Sequence, residues 1–209
     1  MKSFDNKRIG LSKKELEFLK KLSTPARIQD ALDSLPQNFE EEGDSCMSVR
    51  GVIAQKKAHC IEAALLAALT LWMHGEPPLL MDLSASKDDD DHVVALYKRG
   101  GLWGAISKSN HAVLGYRDPL YRTLRELALS YAHEYFNKKG QKTLRSYSLA
   151  YSPLRRDPGE WVTGDDAWLI AEDLCEVTHH QLFPRAQAAY LRPIDKFELK
   201  GYQCTRYKR

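Results

Sequence analysis

An α+β fold is predicted by three features of this chain. The segment from Cys60 to about His74 is apolar almost all round, which marks a helix buried inside a domain. Val93-Val94-Ala95-Leu96-Tyr97 and Leu102-Trp103-Gly104-Ala105-Ile106 flank a Lys98-Arg99-Gly100-Gly101 turn, the chemistry of a β-hairpin. Amphipathic helical stripes lie on both sides of this centre. The order is helices, a buried helix, antiparallel strands and further helices. At 209 residues the chain suits one well-buried domain, 1–209, and is short for two.

The N-terminal part, 1–48, reads as helices and an acidic loop. Ser12-Lys13-Lys14-Glu15 is a capping box, with Leu16, Phe18, Leu19 and Leu22 supplying apolar contacts. Thr24 suits an N-cap and Pro25 a first helical turn, and Ile28, Leu32 and Leu35 form a stripe ended by Pro36. Residues 37–48 form an acidic loop expected to lead to the substrate face.

The central part, 50–112, holds the buried helix, which stops at Gly75. Leu79-Leu80-Met81-Asp82-Leu83 follows as a short buried strand, and then the hairpin. In 113–209 the sequence predicts a long helix from Asp118-Pro119 to about Asn137, with a stripe of Leu120, Leu124, Leu127, Tyr131 and Tyr135. It also predicts a strand at Ser146 to Tyr151, a helix from about Asp165 to Thr178 capped by His179-His180, and a last strand near 188–199. Trp161, Asp165, Asp166 and Trp168 are assigned packing and capping roles.

Composition excludes several function classes. The formal net charge is only +3, and the C-terminal basic residues Lys196, Lys200, Arg206, Lys208 and Arg209 are interrupted by acids, so no nucleic-acid partner is expected. The first eight residues lack a signal-peptide core, and the apolar run Ala63 to Met73 is too short to span a bilayer. A cytoplasmic protein with no membrane partner is expected. There Cys46, Cys60, Cys175 and Cys204 should be reduced thiols, and their spacing shows no zinc pattern. Asp88 to Asp91 with His92 and His111 lack any recognised ligand spacing, so no metal is expected. No cofactor is expected either, and the apolar stripes fix no oligomeric state.

The chemistry centres on Cys60 and His92. A thiol attacks only as thiolate, and a helix N-terminus stabilises that anion through its free N–H groups and macrodipole. An imidazole at the mouth of an adjacent strand would lower the thiol pKa and later protonate a leaving group. His92 is that imidazole. The Cys60 N–H would be one oxyanion donor and Gln55 a second. Asn110 or Ser107 would orient His92, while Trp103 and His111 would line the substrate site. Arg117, Arg122 and Arg125 either bind an acidic substrate or form a solvated helix face.

The order Cys60-x-Glu62 with an apolar helix, then Asp91-His92-Val93-Val94, then Trp103 on the next strand resembles the transglutaminase-like (papain-like) superfamily. The Cys-x-Glu opening is similar to arylamine N-acetyltransferases and peptide N-glycanases of that superfamily. The wider chain, with Ser107-Lys108-Ser109-Asn110-His111 and Tyr116-Arg117-Asp118-Pro119, resembles a family of uncharacterised bacterial proteins. The resemblance implies a Cys-beginning central helix on an antiparallel sheet, with extra N- and C-terminal helices. It also implies acyl transfer or hydrolysis of an amide or thioester, in a small molecule, peptide or protein. The superfamily's Asp four residues after the strand Trp is replaced here by Ser107, which favours an inactive binding or regulatory module as the alternative.

Overall fold

The structure, a computed structural model, describes residues 3–208; Met1, Lys2 and Arg209, the last of the C-terminal basic residues, lie outside it. Short α1 (Asn6–Ile9) precedes α2 (Lys13–Lys21), whose Ser12–Glu15 capping box forms as the sequence predicts: Ser12 Oγ accepts from Glu15 N and Glu15 Oε2 from Ser12 N. α3 (Pro25–Ser34) begins at the Thr24 cap with Pro25 in its first turn. α4 (Val49–Gln55), unexpected from the sequence, sits where a Ser48 hydroxyl caps a short Val/Ile-bearing segment. α5 (Cys60–Met73) is the buried central helix, with every residue from Ile61 to Trp72 buried. Gly75, at φ 85°, supplies the left-handed residue that stops it.

The sheet is antiparallel throughout: β1 (Leu79–Ala85), β2 (His92–Arg99), β3 (Leu102–Ile106), β4 (Arg117–Tyr121), β5 (Leu144–Ser148) and β6 (His179–Gln181), in the order β4-β3-β2-β1-β5-β6. Arg99 pairs with Leu102 across the hairpin, and Gly100 and Gly101 both hold positive φ (56° and 81°), as a two-residue turn matched to strand twist demands. Between β4 and β5 runs α6 (Leu124–Tyr131). α7 (Pro158–Thr163), α8 (Trp168–Glu176) and α9 (Lys196–Tyr202) complete the chain.

Both sheet faces are covered, which is why β2 reads as a continuous apolar run rather than an alternating one. Val93, Ala95 and Tyr97 pack with Leu80 against α5 and the N-terminal helices, together with Trp161 and Ile170 of α7 and α8. Val94, Leu96, Met81 and Leu83 pack against Leu127, Tyr131 and Tyr135 on the opposite face. No helix among the described residues is long and apolar enough to cross a membrane.

Three expectations are corrected. The predicted helix from Asp118 to Asn137 is an edge strand followed by a shorter helix. Pro119 sits in β4, where a missing N–H is tolerated on a sheet edge, and Thr123 with its hydroxyl on Glu126 N is the true cap. Leu120 is accordingly exposed. His179-His180 do not cap a helix, because α8 ends at Glu176 and the two histidines form edge strand β6 against Ser148 and Tyr147. The region 188–199 is no strand; it holds the end of a 3-10 segment (Arg185–Tyr190) and the start of α9, whose Asp195 caps it.

Candidate active site

Cys60 is the first residue of α5, so its N–H has no intrahelical acceptor and lies at the positive end of the helix dipole. The β-hairpin brings His92, the first residue of β2, to the same end of the sheet. Both line a cleft of about 510 Å³. The His59 and His92 imidazoles both flank the thiol. Burial pushes the Cys60 thiol up, but those contacts and the charges of His59 and His92 outweigh it and bring the thiol down to about 5. The other buried cysteine shows the opposite balance. Cys46, with Glu62 nearby and no cation to offset desolvation, is pushed up to about 12.

Ser107 is the residue that orients His92. Its hydroxyl donates to the Leu114 carbonyl, which can only accept, so Ser107 Oγ accepts from His92 Nε2–H at 2.7 Å. The network thereby assigns the His92 proton to Nε2 and leaves Nδ1 for the thiol. Ser107 is itself fixed by Gln29 of α3. Gln29 Oε1 accepts from Ser107 N (3.0 Å), and Gln29 Nε2 donates to Ser107 O (2.7 Å). Removing the Ser107 hydroxyl frees the His92 ring to rotate. Ser107→Ala is expected to lower turnover of an activated thioester by about tenfold to a hundredfold with KM unchanged. Unchanged kcat would show that the contact does not position the imidazole.

Asn110, the other candidate for that role, is committed elsewhere. Its Nδ2 donates to Tyr207 O and its Oδ1 accepts from Tyr207 N, both at 2.9 Å, so it holds the C-terminal segment rather than His92. His111 does line the cleft, stacked on Tyr202 with ring centroids 3.9 Å apart and bonded to the Tyr202 carbonyl. Trp103 does not line the cleft. It packs on the α6 side of the sheet beneath the Lys98 ammonium. Gln55 is exposed at the end of α4 and does not line the cleft; the side-chain amides that line it with Cys60 are Gln37 and Asn110. Gln37 is carried there by a parallel bridge to Ala58, and its Oε1 is buried without a partner.

Sequence reasoning missed the roles of His59 and Glu62. Glu62 is fully buried. It accepts from Asn38 Nδ2, Ser45 Oγ, Met47 N and His59 N at 2.9–3.2 Å, and its Oε1 lies 3.3 Å from His59 Nε2. Burial would raise the Glu62 carboxyl, but His59 and the two backbone donors hold it below the ordinary glutamate value. Burial likewise lowers His59, and the Cys60 and Glu62 contacts override it, raising the imidazole to about 11. His59 is therefore an imidazolium at neutral pH, held between the buried Glu62 carboxylate and the Cys60 sulfur. The signal in the sequence was His-Cys-x-Glu itself, with a cation and an anion flanking the thiol.

Other charged candidates have structural partners. Arg117 pairs with Glu134 at 2.6 Å, and Arg125 donates to the Leu182 carbonyl, so neither faces the cleft. Asp91 accepts from Ala85 N and Ser84 Oγ, and Asp89 accepts from Thr143. Lys108 is buried and donates to the Leu32 and Leu35 carbonyls at the end of α3. Desolvation lowers its ammonium to about 8.

A second recess, about 380 Å³, reaches Cys60 from the α8 side and contains Asp82 and His179. His179 Nδ1 donates to Val177 O, which turns Nε2 towards Asp82 Oδ2 at 2.9 Å. Burial raises the Asp82 carboxyl to about 6; the His179 contact lowers it and the Asp91 charge adds to the rise. A raised folded-state pKa stabilises the native state fully below the ordinary Asp range and loses that contribution as pH climbs through 6. Wild type should therefore lose stability relative to Asp82→Asn between about pH 4 and pH 7. Urea midpoints of the two proteins across that range measure it, and a pH-independent difference would count against the buried carboxyl.

No protein-family model matches this chain. No curated protein matches it.

Proposed function

We propose that this protein is a cysteine-dependent acyl-transfer or amide/thioester-hydrolysis enzyme of transglutaminase-like fold. Cys60 is its nucleophile, His92 its general acid and base, and Ser107 the residue that positions His92. The observation that carries this reading is the thiol at the first turn of α5, lowered to about 5 between two imidazoles, one of them oriented from behind by a hydroxyl. A buried structural cysteine needs none of this, as Cys46 illustrates.

In the reaction, Cys60 Sγ attacks the carbonyl carbon. The oxyanion receives a hydrogen bond from Cys60 N–H. His92 protonates the departing amine or thiol as the C–N or C–S bond breaks, leaving a thioester on Cys60. His92 then takes a proton from water or an amine, which attacks the thioester and releases the sulfur. The cleft carries Glu40, Asp89, Asp90 and Asp91 against Lys108 and the His59 imidazolium, with Phe39 and Phe136 among its walls. That balance suits a neutral or cationic amide, in a small molecule or a peptide, better than an acidic one. The recess on the α8 side gives the leaving group or the acceptor a separate approach to the sulfur.

The test is single-turnover reaction with an acetyl thioester of N-acetylcysteamine, followed by mass spectrometry. An acetyl adduct on Cys60, lost in Cys60→Ala, with thiol release lost in His92→Ala, is expected. Thiol release that survives in Cys60→Ala, or a reactive Cys60 that never acylates, would leave the inactive binding module as the better reading.

A further inference from the structure

A cavity of about 840 Å³ shares no lining residue with the Cys60 cleft. It lies where the chain leaving β1 (Ala85 to Asp88), strand β5 and the 3-10 segment Arg185–Tyr190 meet. Lys87, Lys142, Arg145 and Arg185 line it against one carboxylate, Asp88. Arg8, Arg50, Arg99, Arg117, Arg156 and Arg206 each hold a carboxylate elsewhere in the chain. Among the described residues none of the four cavity cations is in such an ion pair.

Arg145 is the most constrained of the four. It is half-buried, and desolvation alone lowers its pKa, the sign of a cation taken from water without a counter-ion. Its Nη1 donates to the Lys142 and Leu144 carbonyls at 3.0 and 2.9 Å, and its guanidinium lies 6.0 Å from the Phe183 ring centroid. These contacts fix the guanidinium plane and commit only one of its nitrogens among the described residues, so the rest of the fork remains available. Phe183, Ala188, Leu191 and Pro193 supply the apolar part of the lining.

From this arrangement we propose that the cavity is a binding site for a phosphate-bearing organic small molecule. The phosphate group sits among Arg145, Lys142, Lys87 and Arg185, and the organic body lies against Phe183 and the aliphatic wall. A planar fork beside two flexible ammonium groups matches the geometry and double charge of a phosphate monoester. The volume falls within the range of ligand pockets, roughly 300–1,000 Å³. The site does not depend on the chemistry at Cys60.

Isothermal titration of the full chain with AMP, and separately with inorganic phosphate, tests the site. Saturable one-to-one binding is expected, tighter for AMP because only AMP fills the apolar wall. Arg145→Gln should weaken AMP binding by about tenfold or more. Lys87→Gln/Arg185→Gln, both exposed positions that leave the fold intact, should weaken both probes and reduce the salt dependence. Cys60→Ala should bind as wild type. Absence of saturable AMP binding at millimolar concentration, or binding that Lys87→Gln/Arg185→Gln leaves unchanged, would overturn the proposal. So would equal affinity for AMP and inorganic phosphate.

Discussion

Glu62→Ala is expected to destabilise the protein by about 3–5 kcal/mol. The carboxylate has no solvent exposure and gathers donors from three directions: Asn38 and Ser45 of the acidic loop, Met47 N ahead of α4, and His59 N at the start of α5. Deleting it leaves the Met47 and His59 N–H groups without an acceptor and takes the buried counter-charge from the His59 imidazolium, which keeps only the Ser45 carbonyl at 2.9 Å and Glu40 at 3.6 Å; that costs far more than the bonds contribute when made. Glu62→Gln keeps the size and one acceptor oxygen but not the charge, so it should fall between wild type and Glu62→Ala. Urea unfolding followed by circular dichroism reads both. Because the Glu62 pKa is lowered in the folded state, the carboxylate's contribution is present above the ordinary glutamate value and is lost on acidification. The gap between wild type and Glu62→Gln should therefore narrow at acid pH. A Glu62→Ala protein within about 1 kcal/mol of wild type would mean that water replaces the lost acceptor.

The second large effect concerns the thiol. His59→Gln removes the imidazolium that burial alone would not permit and that Cys60 and Glu62 hold charged. The Cys60 thiol should then titrate higher by about one unit or more, each unit being about 1.4 kcal/mol of lost thiolate stabilisation. His92→Ala should raise it as well, since both imidazoles contribute. Turnover separates the two residues. His59→Gln should move the acid limb of the pH–rate profile while leaving acyl transfer measurable at high pH, whereas His92→Ala should abolish it at every pH because no group remains to protonate the leaving atom. Equal loss in both variants at high pH would place His59 in the proton path itself.

What the sequence revealed was local, and what it concealed was long-range. The apolar run after Cys60, the Gly100-Gly101 turn and the Ser12 and Thr24 caps are written in residues adjacent in the chain, so helix, hairpin and the meeting of Cys60 with His92 could be anticipated. The choice between Ser107 and Asn110 could not. It depends on Gln29, 78 positions before Ser107, and on Tyr207, 97 positions after Asn110. The Asp82–His179 contact spans another 97 positions and was hidden by reading His179 as a helix cap. Asp118-Pro119 misled for a physical reason: Asp-Pro suits a helix start and also a sheet edge, and only the packing of β4 on β3 decides between them. Gln37 was missed in favour of Gln55 because proximity along the chain stood in for proximity in space. The backbone bridge between Gln37 and Ala58 is what brings the nearer amide to the thiol.

The most direct measurement is the pH dependence of iodoacetamide alkylation at each cysteine, read by mass spectrometry in the native protein. Cys60 should react with a half-maximal rate near pH 5, and Cys46 should stay unmodified until the protein unfolds. A Cys60 that titrates near the ordinary thiol value, or reacts no faster at pH 6 than Cys204, would contradict the thiolate on which the enzyme reading stands.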